Sequence, residues 1–528
     1  MDRLPIVYVR GFAGERGIEK AVEDPFYGFN EGSVHVRVGA SGDPSFYQFE
    51  SPLLRLMIDA DYTLLVRGSQ ERYLRDAEPG SVDPASIWVH RFYDLSARSL
   101  TTEAHRTGDG EEVARPDPYQ AFDLEAAARA LLELIELVKD RTGAPRVFLV
   151  AHSMGGLVCR CLIQKVLPDR GEHALEHVDR LFTYGTPHGG IHFEVGFGLL
   201  ERLRDTFDVQ GGAIFGHRKM YDYLTPTASA RRDGPEKAWR ANSLPASAFP
   251  GERVFCLVGT NPSDYDAALG LSAKAVGAKS DGLVQIESAY MPEARFAFVH
   301  RSHSGRFGMV NSEEGYQNLR RFLFGDLQVT ADLVDYRLPG EPDPEVAWQA
   351  ETRLSIRGLP IVMHEQLAAH HCPIQLEWSR DAETADRPVP LVTTFLSSDE
   401  RPRDSQKMRY TLQLRILSLR ERNGVFWFGD HIEQSADFDD MLIIDIEPPG
   451  EQRAFPRAWG RWASMIPTPL REYEPADRDL LTDDDPEPGS WVANVALPSP
   501  GGDFLGAGTR LRLVVRGRRP AADPAYRR

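Results

Sequence analysis

The chain has 528 residues, 42% of them hydrophobic and 26% charged, which is a globular composition long enough for two domains with separate cores. Its formal net charge of −17 argues against a nucleic-acid partner, because phosphate binding needs a basic surface. No apolar run approaches the roughly 18 residues that a membrane helix needs, so a soluble, cytoplasmic protein is expected.

From the N-terminus, strand-like residues 6–9 run into Arg10-Gly11-Phe12-Ala13-Gly14, where two glycines let the backbone turn inward. Residues 34–38, 62–66 and 87–93 read as further early strands. A helix is predicted over residues 119–140, with Leu124, Ala128, Leu131, Ile135 and Val138 on one face and Glu125, Arg129, Glu133 and Glu136 elsewhere. Gly143-Ala144-Pro145 then leads into the apolar run Val147-Phe148-Leu149-Val150-Ala151-His152. That run stops at Ser153, turns on Gly155 and Gly156, and becomes helix-like over residues 157–166. A serine between such a strand and such a helix is forced out of a sharp turn at the carboxyl edge of a parallel sheet, where a nucleophile belongs. Ala151 and Gly155 flank it because strand and helix pass too close there for larger side chains. Four cysteines occur, and Cys159 and Cys161 point to different sides of one predicted helix, poorly placed to pair. A reducing compartment fits.

Apolar runs at residues 181–184, 254–258 and 296–299 continue the pattern of strands buried in a sheet centre. A last helix over residues 313–324 follows Ser312 as N-cap. Up to about residue 325 the order is that of a mostly parallel sheet with helices on both faces, a first domain over residues 1–325. Residues 191–250 interrupt it with apolar positions such as Phe193, Phe197, Leu200, Phe207 and Phe215, an insertion expected to cap a site. From residue 326 two-residue alternation takes over, with Tyr410, Leu412, Leu414 and Ile416 on one face and Thr411, Gln413 and Arg415 on the other. Residues 326–528 therefore read as a smaller, antiparallel β-sandwich-like domain. His364, His370, His371 and Cys372 match no zinc spacing, and the acidic stretch 477–487 reads as a solvated turn without the ligand pattern of a calcium loop. No metal or cofactor is expected.

A serine hydroxyl is a weak nucleophile until a base takes its proton, and the base needs an acid to orient it. In this kind of sheet the acid and then the histidine follow the serine in sequence, which makes His173, His177, His188, His192 and His217 too early. His300 and His303 remain near the last strand. His303 is favoured, because it sits in the loop beyond the strand tip, with Gly305 leaving room to bend. Asp281, at the turn Ser280-Asp281-Gly282-Leu283-Val284, is favoured as the acid over Asp264 and Asp266, which stand beside Pro262. Two backbone N–H groups must face the developing oxyanion; Met154 after the nucleophile and Phe12 after the first strand are the candidates.

Ala151-His152-Ser153-Met154-Gly155-Gly156, Thr183-Tyr184-Gly185-Thr186-Pro187-His188-Gly189-Gly190, Asp281-Gly282-Leu283-Val284 and the His303 loop resemble the lipase branch of the α/β-hydrolase superfamily. The likeness, to bacterial triacylglycerol lipases and to the lipase-like domain of GPI inositol-deacylase, covers about residues 4–325. It implies an α/β-hydrolase fold, a triad of Ser153, Asp281 and His303, oxyanion donors at Met154 and Phe12, and a segment Thr186-Pro187-His188 lining the site. Arg10 stands where that branch usually has histidine, and Ala151 where glycine is commoner.

The expected activity is that of a serine carboxylester hydrolase acting on a hydrophobic or lipid ester through an acyl-enzyme on Ser153. Two alternatives stay open: acyl transfer to an alcohol or amine by the same triad, and a catalytically silent scaffold whose β-sandwich is a binding module. Peripheral membrane contact and a partner protein at the β-rich domain are left open as well.

Overall fold

In chain order the first strands are β1 (Ile6–Val9), β2 (Arg37–Val38), β3 (Pro44–Ser45), β4 (Thr63–Leu64), β5 (Ser86–His90), β6 (Val147–His152), β7 (Val178–Tyr184), β8 (Val254–Gly259) and β9 (Arg295–Val299). Seven of them form one sheet in the order β4-β5-β1-β6-β7-β8-β9, and the pairs from β4 through β8 are parallel. β2 and β3 pair with each other, antiparallel, outside that sheet. β1, β6, β7 and β8 are buried at every position, as strands covered on both faces must be. β1 lies between β5 and β6, so the chain extends the sheet first to one side of β1 and then to the other. Ligands bind outside the carboxyl ends of the strands at such a switch point.

This architecture comes from a computed structural model that describes residues 3–11, 37–38, 44–45, 51–64, 70–90, 123–191, 215–231, 234–263, 279–304, 307–343, 345–378, 388–401, 405–422, 431–448, 456–485, 490–499 and 501–518. Contacts divide the chain into two compact units, residues 1–295 with 301–316 and residues 296–300 with 317–528. The expected strand positions 34–36, 65–66 and 91–93 lie outside the described residues, as do residues 192–214 and 232–233 of the expected cap.

The long helix is described over Leu124–Thr142, and positions 119–122 of the expected helix lie outside the described residues. Asp123 caps it: its backbone is extended, and its carboxylate accepts from the N–H groups of Glu125 at 3.0 Å and Ala126 at 3.2 Å. Gly143, at φ 68°, ends it in the left-handed conformation that only glycine adopts without cost. Leu124, Ala128, Leu131, Ile135 and Val138 are all buried, matching the predicted face. After Ser153 the expected single helix is in fact an α segment, Met154–Cys161, followed by a π turn, Leu162–Val166. In the described part of the insertion, the helix His217–Leu224 buries Met220, Tyr221, Tyr223 and Leu224.

In the second unit β10 (Leu327–Val334), β11 (Val346–Ile356), β12 (His364–Gln366), β13 (Ile374–Leu376), β14 (Val389–Leu396), β15 (Met408–Arg422), β16 (His431–Glu447), β17 (Arg457–Trp462), β18 (Ser490–Ala496) and β19 (Arg510–Gly517) make two antiparallel sheets. One has the order β14-β10-β19-β18; the other has β12-β11-β15-β16-β17, with β13 also on β11. Leu327, Val329, Leu511 and Leu513 of the first sheet share one core with Leu354, Leu412, Leu414, Ile416 and Leu442 of the second, which makes a sandwich. The acidic stretch departs from a simple solvated turn. Asp479 is buried and accepts from Arg461 Nη1 at 2.7 Å, Ala476 N at 3.0 Å and the Tyr473 hydroxyl at 3.1 Å. Burial alone would raise its pKa, but those donors prevail and hold it below the usual carboxylate range. His364 is likewise a core residue, its Nδ1 accepting from Phe298 N at 3.4 Å. Burial pushes its pKa down to about 4. Among the described residues no helix is long and apolar enough to cross a membrane.

Candidate active site

Ser153 follows β6 directly and sits at φ 53°, ψ −129°, a conformation that non-glycine residues rarely adopt. Close packing around the turn holds it there. A Cβ on Gly155 would lie 2.3 Å from the Val9 carbonyl oxygen, and one on Gly156 would lie 2.1 Å from Thr186 Oγ1. Ser153 N donates to Tyr184 O at 2.9 Å, while Ser153 O accepts from the Thr186 hydroxyl at 2.9 Å and from Gly156 N at 3.0 Å. With its backbone fixed from three sides, the side chain is left half-buried at the end of the strand.

Facing it is His303, 2% exposed, in the loop beyond β9. The Ser153 hydroxyl and His303 Nε2 are 3.0 Å apart, and His303 Nδ1 is 2.8 Å from Asp281 Oδ2. A carboxylate can only accept, so Nδ1 carries the proton and Nε2 is the bare nitrogen that faces the serine hydroxyl. Asp281 is 1% exposed. Its other oxygen accepts from Leu283 N at 3.0 Å and Val284 N at 2.8 Å, so one oxygen is held by its own turn and the other by His303. Gly282, at φ 98°, makes that turn feasible. His303 N in turn donates to Asp281 O at 2.8 Å, tying the two loops through their backbones.

Small residues open the space these side chains need. At Gly185, φ 50°, a Cβ would come 2.9 Å from Asp281 Oδ2 and 3.0 Å from His303 Nδ1; at Gly259 it would come 2.8 Å from Asp281 Cβ. The fully buried Met309 packs against both glycine positions.

Met154 begins the helix that follows Ser153. Phe12, Asp264 and Asp266 lie outside the described residues. His300 is turned elsewhere: its ring stacks on His370 with centroids 3.7 Å apart. His188, expected to line the site, is wholly buried instead, 3.1 Å from Thr183 Oγ1 and 3.5 Å from Cys256 Sγ. Its backbone carbonyl accepts from the buried Arg160, which also reaches Gln164 and Ser243 O. Burial, reinforced by the Arg160 charge, holds the His188 pKa well below the usual imidazole range. Thr186, also expected to line the site, bonds to the Ser153 carbonyl oxygen. One neighbour went unread in the sequence: His152, whose ring lies 4.9 Å from that of His303.

A mostly parallel sheet in this order, with a serine in the turn after β6 bonded to a histidine that an aspartate holds, has the arrangement of an α/β-hydrolase fold. Residues 119–201 match the family model of the PGAP1-like alpha/beta domain. No curated protein matches the chain. Among solved structures it is similar to the mature form of the Bacillus licheniformis lipase BlEst2, at 14% identity and a TM-score of 0.31, over 61% of this chain and 91% of that one. It is also similar to the Tle4-Tli4 complex, at 15% identity and a TM-score of 0.15, over 36% of this chain and 46% of that one.

Proposed function

We propose that this protein is a serine carboxylester hydrolase in which Ser153 is the nucleophile, His303 the general base and Asp281 the residue that orients it. The observation that carries this is the unbroken hydrogen-bonded line from Asp281 Oδ2 through the His303 ring to Ser153 Oγ. His303 Nε2 takes the hydroxyl proton as Ser153 attacks the ester carbonyl. The same imidazolium then protonates the leaving alcohol, and an acyl-enzyme forms. Water, deprotonated by His303, releases the acid. The Met154 amide supports the oxyanion from the start of the helix, and Phe12 N–H is the proposed second donor.

The apolar composition of residues 191–215 favours an acyl chain over a charged substrate, so a hydrophobic or lipid ester is the proposed substrate class. A soluble, cytoplasmic setting, with the β-sandwich contacting lipid or a partner protein, is the accompanying proposal. The test is labelling with a fluorophosphonate, together with turnover of p-nitrophenyl esters. Ser153→Ala is expected to lose the label and to lower the hydrolytic rate by about 10⁶-fold. Wild-type-like turnover in that variant, or a wild type that takes no label, overturns the assignment. Product analysis with added alcohols separates hydrolysis from acyl transfer.

A further inference from the structure

The residue before the nucleophile stands outside the triad, yet its side chain reaches the base. His152 ends β6 and is 2% exposed. Its Nε2 lies 3.1 Å from the backbone carbonyl oxygen of His303. A carbonyl only accepts, so His152 is the donor and carries its proton on Nε2. On its other side a Cβ at Gly11 would come 2.8 Å from His152 Nδ1 and 2.9 Å from Ser153 Cβ. One imidazole is thus wedged between the turn that follows β1, the nucleophile turn and the loop of the base.

Resting on the esterase assignment, we infer that His152 is a positioning residue. Its Nε2–H, by donating to the His303 carbonyl oxygen, fixes the backbone that aims the His303 ring at Ser153. Nothing else in the triad controls that carbonyl: Asp281 holds the His303 ring through Nδ1 and the His303 N–H through its own carbonyl. The His152 bond adds an anchor at the carbonyl side of His303.

The charges around His152 agree with a neutral donor. Burial is the main influence, followed by the nearby His303 ring and by Arg10 on the turn after β1; the hydrogen bond to the His303 carbonyl opposes them. The balance holds His152 well below the usual imidazole pKa. Neutrality matters because His303 becomes an imidazolium when it takes the serine proton. A second positive ring 4.9 Å away would oppose that step.

The experiment compares His152→Asn with His152→Gln. The glutamine amide reaches where Nε2 stood and can donate to the same carbonyl, whereas the asparagine amide stops short. With p-nitrophenyl butyrate, His152→Asn is expected to lower kcat by about tenfold to a hundredfold with KM unchanged, and to shift the acid limb of its pH profile. His152→Gln is expected to stay within about threefold of wild type, with an unshifted profile. Wild-type kcat in the asparagine variant, or equal losses in both variants with intact folds, overturns the inference. Should the asparagine variant fail to fold, the glutamine variant decides: phosphonylation by a fluorophosphonate within about threefold of wild type supports the bond, and a larger loss overturns it. A wild type that takes no label and cleaves no ester sinks the esterase assignment, and this inference with it. A labelled wild type with an unaffected asparagine variant sinks this inference alone.

Discussion

The Thr186 hydroxyl donates a 2.9 Å hydrogen bond to the carbonyl oxygen of Ser153, so a residue just beyond β7 holds the backbone of the proposed nucleophile. Thr186 is fully buried, and its Oγ1 also limits what can stand at position 156. Thr186→Val keeps the shape and removes the donor. The variant is expected to lose about 1 kcal/mol of stability. Its kcat should fall by about tenfold, through loosened placement of Ser153. Urea unfolding and p-nitrophenyl ester kinetics measure the two effects; unchanged values in both would mean that the remaining bond from Gly156 N suffices.

Two glycines separate steric need from conformational need. At Gly155 a methyl group would meet the Val9 carbonyl oxygen at 2.3 Å, and that oxygen belongs to β1, paired on both sides within the sheet. Backbone so placed cannot move aside. Gly155→Ala is therefore expected to cost about 3 kcal/mol or more, and to take esterase activity with it. Gly80, at φ 71°, has nothing within 4 Å of its added Cβ. Gly80→Ala should cost only the left-handed strain, about 1 kcal/mol, and leave activity intact. Melting temperatures of the two variants give the comparison, and equal losses would mean that close approach does not set the cost at Gly155.

Much of the site could be read from sequence, because each part carried a local chemical signal. Ser153 stood between an apolar strand and glycines, Asp281 before a turn glycine, and His303 in a loop just past the last strand. The structure brings these three together. In the β-rich half, alternation at Tyr410, Leu412, Leu414 and Ile416 marks the face that the sandwich buries. What escaped notice depends on partners distant in the chain. His188 looked like a lining residue, yet its ring is taken by Thr183 and Cys256 and its carbonyl by Arg160. Asp479 looked solvated because its partner Arg461 lies on β17, outside the acidic stretch. The π turn Leu162–Val166 was invisible for a different reason: a shifted hydrogen-bond ladder leaves no mark on residue type.

Buried neutral histidines make stability depend on pH. In the second unit His364 titrates near 4 when folded and near 6.5 when unfolded. Between those values the unfolded chain binds the extra proton, so stability is full above pH 6.5 and is lost as the pH falls towards 4. The interval corresponds to about 3 kcal/mol for this residue. His152 and His188 act with the same sign in the first unit, since burial lowers both. His364→Asn preserves an acceptor for Phe298 N and cannot be protonated. Urea unfolding monitored between pH 7 and 4 should show a visibly flatter loss of stability in that variant; an unchanged slope would mean that the acid sensitivity comes from other groups.

Ser153 stores backbone strain. Its φ of 53° with ψ of −129° suits glycine and penalises any residue with a Cβ, at about 1–3 kcal/mol. The strain persists because the turn is fixed independently, by the bonds of Ser153 N to Tyr184 and of Ser153 O to Thr186 and Gly156. Substitutions at this position should therefore separate by backbone rather than by polarity. Ser153→Ala loses the hydroxyl and keeps the strain, whereas Ser153→Gly loses both. The glycine variant is expected to be more stable than the alanine variant by about 1 kcal/mol, with both equally inactive. Some of that gain is offset, because glycine also adds freedom to the unfolded chain. Melting temperatures at one pH decide it. If alanine proves as stable as glycine or more so, the turn has relaxed around the new residue, and the conformation at 153 follows from the side chain rather than from the backbone that surrounds it.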